Sequence, residues 1–466
     1  MTRVVRRTIK ELGSAIRDRE VSPVELTREC LARIEADGPK LNAFISVLAD
    51  SAIEAARRAE QEIARGEHRG PLHGIPIGLK DIVDTAGVLT TAASGQYRDR
   101  VPSEDAEVVR RLRAAGCVIL GKQNLHEFAY GGSSLVSFFG ETRNPWDLSR
   151  LTGGSSGGSA ASVASGLGLA AVGTDTAGSV RLPAAYCGVV GLKATYGRVS
   201  ARGVVPLSWS YDHVGPIATC VHDAAVMLQA MAGYDPGDPS SVDAPRVDFT
   251  SCLAPVVRGL RVGVPRAFFC DDLDPEVADA FERAIGVLRG MHACVHDDVR
   301  LEVPTDRKLA SAESYAFHQT MVTETPERYQ AATLVRIKSA EKLLAPKVLR
   351  AARELLACRQ AIRRVFDEVD VLVTPTVPIP PPSIARLNEA PDDLRTQENL
   401  MLRNTRPFNV WGIPSISVPC GFTRDGLPIG LQFSGPAWRE DVVLQVANAY
   451  EQATDWHQRV PDPVAT

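Results

Sequence analysis

Residues able to activate a serine for nucleophilic attack gather at three places in this sequence. The run Gly153-Gly154-Ser155-Ser156-Gly157-Gly158-Ser159 offers adjacent hydroxyls in a loop whose lack of bulk lets backbone amides approach a charged group. Downstream, Gly173-Thr174-Asp175-Thr176-Ala177-Gly178-Ser179-Val180-Arg181 sets another serine among small residues, and upstream Gly74-Ile75-Pro76-Ile77-Gly78-Leu79-Lys80-Asp81 sets one lysine at the end of an apolar run. A neutral alcohol does not attack an amide unaided. The serine needs a base, a stabiliser of the oxyanion and a proton donor for the departing amine. Lysine is a base only when neutral. At its ordinary pKa of about 10.4 only about 0.04% is neutral at pH 7, and a descent of about three units takes about 4 kcal/mol. Burial beside Ile75, Ile77 and Leu79 is the expected source of that energy.

Two other chemistries fit the glycine-serine loop less well. A phosphate-binding loop requires Lys-Ser/Thr after the glycines, and it is absent. The nucleophile-elbow pattern G-x-S-x-G is met twice, with Ser155 or Ser156 central and His213 or His222 as nominal partners, but so short a pattern arises easily by chance in glycine-serine sequence. The three segments together, with Ser179 standing 24 positions after Ser155, closely resemble the amidase-signature family. The likeness extends through GKQNLHEFAYG, ETRNPWDLSRL, CGVVGLKATYGRVS, DHVGPIA, IPSISVPCGF and GLPIGLQ, and weakens only over 235–365.

That resemblance implies an α/β/α fold around a large mixed sheet, with Ser179 as nucleophile, Lys80 as terminal base and Ser155, preceding an unusual cis peptide, as the bridge between them. It further implies an oxyanion site from the N–H groups of Thr176, Ala177, Gly178 and Ser179, and a pocket bordered by Ala129, Tyr130 and the 408–411 segment, where Tyr130 and Trp411 form an aromatic wall or simply pack in the core. The family often has Gly where this chain has Ala177, so a left-handed backbone there would be costly. Ser156 is expected to support Lys80 or the loop. Asp175 and Arg181 are expected to brace the nucleophile turn, and His73, His126 and His213 to be structural.

The reaction implied is hydrolysis of a carboxamide to a carboxylate and ammonia or an amine, through an acyl-enzyme on Ser179. The rival is the glutaminase (A-type) subunit of a tRNA-dependent amidotransferase, in which a carboxylate usually stands shortly before P-x-N-x-x-G. Here Met401-Leu402-Arg403-Asn404-Thr405-Arg406 precedes Pro407-Phe408-Asn409 without an acid. A stand-alone amidase acting on a small-molecule amide is therefore the favoured expectation.

The elements that must position these residues follow from texture. Thr8 with Glu11, and Ser22-Pro23 with Glu25, read as helix starts, with Gly38 as terminator of the second helix. Residues 1–65 are an N-terminal helical section packed on a single large domain, 66–466. Short apolar runs bounded by Gly, Ser and Thr over 72–207 suggest strands alternating with helices. A helical middle over 274–367, interrupted by a strand at 295–303, leads to a strand at 369–373, the rigid turn VPIPPPS and a hairpin across Asp425-Gly426.

Composition bounds the rest. In 466 residues, 44% are hydrophobic and 23% charged, and the net charge of −4 gives no field that would gather nucleic acid or an anionic membrane. No signal-like or membrane-spanning run is read, so the expected location is cytoplasmic. Nine scattered cysteines without C-x-x-C argue against a disulfide framework or a zinc cluster, and Cys187 and Cys420 read as small buried hydrophobes. Neither metal nor organic cofactor is implied, and the oligomeric state is open, a homodimer included.

Overall fold

The computed structural model describes residues 7–462. Thr8 caps the helix Ile9–Arg17 reciprocally with Glu11, and the Ser22 hydroxyl caps Pro23–Leu41. The second helix does not stop at Gly38. It runs through Pro39 to Asn42, which takes the left-handed conformation and returns its N–H to Gly38 O, so asparagine supplies the C-terminal turn assigned to glycine. Between this helix and Ala49–Ala64 lies β1 (Phe44–Val47), a four-residue strand that joins the edge of the main sheet and was not expected in the helical N-terminal section.

The remaining strands are β2 (Pro76–Lys80), β3 (Val118–Gln123), β4 (Arg143–Asn144), β5 (Asp147–Leu151), β6 (Ala170–Asp175), β7 (Val190–Lys193), β8 (His213–Ala218), β9 (Arg261–Gly263), β10 (Cys294–His296), β11 (Val371–Pro375), β12 (Ser415–Phe422) and β13 (Pro428–Ser434). Strands β4 and β5 form a small ribbon, and the other eleven make one mixed sheet ordered β1-β3-β2-β6-β8-β7-β12-β13-β11-β9-β10. The strand expected over 295–303 is limited to β10. The hairpin across Asp425-Gly426 forms as expected, with Phe422 opposite Pro428.

Helices cover both faces, and the side-chain alternation of the strands shows how the site is placed. On β6, Ala170 and Val172 belong to the large core packed by Ile9–Arg17, Val221–Met231 and Glu440–Gln452, while Ala171 between them packs with Ala160 and Val163 of the helix Gly157–Ala164 on the opposite face. Strand β2 follows the same period of two. Ile77 and Leu79 enter the large core, so Lys80 points the other way, toward the layer that begins with Ser155. The apolar neighbours named from sequence therefore anchor the strand from its far side. Among the described residues no helix is long and apolar enough to cross a membrane.

Candidate active site

Lys80 is the last residue of β2, and its parallel neighbour β6 ends at Asp175. The chemistry-bearing residues thus collect beyond the carboxyl ends of adjacent parallel strands, where open α/β sheets place their ligands. Lys80 is fully buried and its Nζ donates to Ser155 Oγ at 2.7 Å and Thr174 Oγ1 at 2.8 Å. Burial brings its pKa down to about 7, against the opposing pull of Asp212 and Asp175. The cis peptide lies between Gly154 and Ser155, before the serine and not after it as expected.

Ser156 serves the loop and not the lysine directly. Its Oγ donates to Thr174 O at 3.2 Å and accepts from Thr174 N at 3.3 Å, which fixes the residue that in turn holds Lys80. Its N–H donates to Ser179 O at 3.2 Å, tying the two serine loops together. Ser155 O is held by His126 N at 3.1 Å and Ser134 Oγ at 3.3 Å.

The turn that carries Ser179 is built on the Asp175 carboxylate. It accepts from the N–H groups of Gly178 at 2.7 Å and Val180 at 3.2 Å, and pairs with Arg181 Nη2 at 2.9 Å. Burial alone would push this carboxyl up, but Arg181 and the hydrogen bonds outweigh it and hold its pKa well below the usual range. Arg181, itself fully buried, is saturated by Thr405 O, Gln432 Oε1 and Asn409 Oδ1 at 2.7–2.9 Å.

Because Gly178 N–H is committed to Asp175, the oxyanion donors named from sequence reduce to Thr176, Ala177 and Ser179, whose N–H groups have no acceptor among the described residues. The left-handed position is Gly178, at φ +132°, and not Ala177. A Cβ at 178 would lie 2.0 Å from Thr405 Oγ1, a hydroxyl that donates to Ala177 O at 2.7 Å. Glycine is required one residue later than the family resemblance implies. Ser179 is 4% exposed, and its Oγ makes no hydrogen bond among the described residues.

Thr176 Oγ1 donates to Asp212 at 2.5 Å, and Asp212 also accepts from Leu207 N and Ser208 N. Burial pushes its pKa up to about 6. Asp212 and Thr405 were not singled out as site residues from the sequence, whereas Asn409 lies in the segment named there as a pocket border. Isolated polar residues 33 and 226 positions from Ser179 give no local signal.

Tyr130 is buried with Ala129 beside Phe128, and its carbonyl accepts from Arg336 Nη1 at 2.6 Å. Trp411 packs against Phe408, with ring centroids 5.2 Å apart, in a core cluster that includes Phe269. Each histidine has other partners: His73 faces Glu62 at 3.0 Å, His126 faces Ser133 and Arg336, and His213 Nδ1 faces Tyr211 O at 2.7 Å. Ser155 Oγ is held by lysine, not by a histidine as the nucleophile-elbow reading requires. Cys187 and Cys420 are buried, which raises both thiols.

The eleven-stranded sheet between helical layers and the lysine-serine site at its strand ends define an amide hydrolase of the amidase-signature type. The chain belongs to the Amidase family, whose model matches residues 25–444, and it is a hydrolase acting on amide C–N bonds. Among its relatives, an amidase of Pseudomonas putida is 42% identical over 477 residues, covering 99% of each chain. The A-type subunit of the glutamyl-tRNA(Gln) amidotransferase of Geotalea daltonii is 41% identical over 480 residues, covering 97% of this chain and 98% of the relative. The crystal structure of peptide amidase from Stenotrophomonas maltophilia superposes with a TM-score of 0.85 at 33% identity, over 98% of both chains.

Proposed function

We propose that this chain is a stand-alone amidase that hydrolyses a small carboxamide through an acyl-enzyme on Ser179, with Ser155 and Lys80 as a proton relay. The observation that carries this reading is the bond from fully buried Lys80 to Ser155 Oγ, 2.7 Å long, at an amine whose pKa is brought to about 7. About half of such an amine is neutral at pH 7. As Ser179 Oγ attacks the carbonyl carbon, its proton passes to Ser155, whose own proton passes to Lys80. The carbonyl oxygen becomes an oxyanion facing the N–H groups of Thr176, Ala177 and Ser179. Collapse breaks the C–N bond, and the relay runs backward to protonate the amine. Water then attacks the ester through the same relay and frees Ser179. The missing link is the one from Ser179 Oγ to Ser155, which closes when substrate orders the site.

A second reading, a glutaminase that delivers ammonia to a partner subunit, draws support from the 41% identical amidotransferase relative. The stand-alone reading draws support from residues 401–406, which bring Arg406 and no acid to the cavity beside Thr176. The nine unpaired cysteines fit a reducing, cytoplasmic setting. The test is a hydrolysis screen of the isolated chain over carboxamides, anilides, ureas and glutamine, with fluorophosphonate labelling mapped by peptide. Turnover of simple carboxamides and a label on Ser179 are expected. A label on Ser155, Ser156 or a cysteine would refute the assignment of the nucleophile, and efficient glutaminase activity that rises with amidotransferase partner subunits would establish the second reading.

A further inference from the structure

Strand β8 brings to the oxyanion turn a carboxylate that the proton relay does not use. In the antiparallel pair of β6 and β8 the last rung sets Asp175 opposite His213. The next residues on the two chains, Thr176 and Asp212, therefore meet, and Thr176 Oγ1 donates to Asp212 Oδ1 at 2.5 Å. The other carboxylate oxygen accepts from Leu207 N at 2.9 Å and Ser208 N at 3.0 Å, and Ser208 O accepts from Asp212 N at 2.9 Å. These bonds fasten Thr176, whose own N–H is left free for an oxyanion, to the start of β8.

Asp212 differs from the other acid near the lysine. Asp175 is paired with Arg181 at 2.9 Å, whereas Asp212 meets no lysine, arginine or histidine at ion-pair distance among the described residues. Glu313, facing it from the helix Lys308–Glu324, adds a like charge and is itself held by the hydroxyls of Ser208 and Ser210. Lys80 is reached from the same segment: its Nζ donates to Thr174 Oγ1 at 2.8 Å, two residues before Thr176, and Asp212 is the foremost charge favouring its ammonium, ahead of Asp175. An amide or a hydroxyl could accept the Thr176 bond without bringing a partly buried charge beside a forming oxyanion. What only a charge can do is favour the ammonium that forms at the terminal base, as the carboxylate of a serine-histidine-aspartate triad favours an imidazolium. We propose that Asp212 is a positioning residue of this reaction, holding Thr176 in the oxyanion turn and supplying the opposite charge for the ammonium of Lys80 once the relay has delivered its proton. This rests on the amidase reading above.

The test follows the amine and the turnover separately. With isotope-labelled lysine, the NMR signal of Lys80 Cε, identified by its loss in Lys80→Met, reports the protonation of the amine directly. In Asp212→Asn its titration midpoint should fall by about one pH unit, and the rising limb of kcat/KM should fall with it. On the plateau, kcat per fluorophosphonate-labelled Ser179 should drop by about 10–10²-fold, short of the roughly 10²–10³-fold that outright loss of an oxyanion donor costs, with KM within about threefold of the parent. Asp212→Glu keeps the charge and should restore the midpoint. Thr176→Val should lose turnover to a similar degree but move the midpoint less, and Thr176→Ser should regain the rate. A residue that only supported the fold would reduce the labelled fraction and leave the midpoint in place. An unmoved or raised midpoint in Asp212→Asn, or full turnover in Thr176→Val, would overturn the inference while leaving the amidase reading intact. If Asp212→Asn yields no folded protein, Asp212→Ser takes its place, and failure of both to fold makes Asp212 a structural residue and refutes the proposal. If the parent cleaves no amide and Ser179 is not labelled, the amidase reading fails instead, and an unmoved midpoint then overturns the pairing of Asp212 with Lys80 as well.

Discussion

Replacing Lys80 separates its role in the reaction from its cost to the fold. The side chain is fully buried with two hydrogen bonds, to Ser155 and Thr174. Lys80→Met fills much of the same volume but cannot move a proton. A general base typically contributes about 10²–10⁴-fold, and in the proposed relay the same group also protonates the leaving amine, so amide turnover should fall to the far end of that range. An ester, whose alkoxide leaves with less need of a proton, should lose less. In the parent, kcat/KM for an amide should rise with pH through about 7, as the amine loses its proton, and then level. Stability gives an independent check. Bringing the pKa from 10.5 to about 7 favours the neutral amine over the ammonium by about 5 kcal/mol. Because the unfolded chain binds the proton up to about pH 10.5 and the native chain releases it near 7, the parent loses stability as pH falls between those values. The methionine variant lacks this term. Its stability relative to the parent should therefore be higher at pH 7 than at pH 10, by up to about 4 kcal/mol, measured by urea unfolding at both pH values. Retention of more than about a tenth of the amidase rate, below the weakest expected contribution, would remove Lys80 from the relay. An unchanged stability gap would show that its amine is not held neutral.

Thr174→Val removes a hydroxyl that favours the charged form of Lys80 and should move the rising limb of the pH–rate profile down by about half to one pH unit; a shift upward would contradict this. Asp175→Asn leaves Arg181 buried without its counter-charge and should cost about 3–5 kcal/mol by denaturant unfolding, with a loss under about 1 kcal/mol ruling out the brace. Gly178→Ala drives a methyl into Thr405 at a backbone angle closed to alanine and should lower kcat by about 10²-fold or more with little change in KM, as expected when an oxyanion site is distorted. Equal rates would mean that the turn does not stabilise the transition state.

The segments carrying Lys80, Ser155 and Ser179 stood out through their joint likeness to the amidase-signature pattern, since a lysine after an apolar run or a serine in a glycine-rich turn is common when taken singly. The capping residues Thr8 and Ser22 and the Asp425-Gly426 hairpin were legible locally, since each is settled within a few positions. Strand β1 was not, because four residues between two long helices carry too short an alternation to register as a strand. Nor was the end of the second helix, where Asn42 competes with Gly38 for the same backbone role. The direction of Lys80 required knowing which face of β2 meets which layer, and that is decided by neighbours β3 and β6. Asp212 and the contact of Thr405 with the Ser179 turn come from distant parts of the chain, so only the fold reveals them.

The bonds of Arg181 have a consequence for the order of events during synthesis. Its partners at 405, 409 and 432 lie 224, 228 and 251 residues downstream, so the Arg181 side of the turn bearing Ser179 is anchored only once residue 432 has been made. At a translation rate of about 5–20 residues per second, some 250 residues correspond to roughly 10–50 s. During that interval Asp175 has Arg181 nearby but nothing to hold the far side of the guanidinium, and the turn has only its local bonds from Gly178 and Val180 to Asp175. A ribosome-bound chain stalled short of residue 405 should thus carry the serine and the lysine yet remain silent to an active-site label, and reactivity should appear with the emergence of the C-terminal hairpin. Residues 405–432 thus complete the setting of the turn on which the proposed nucleophile sits.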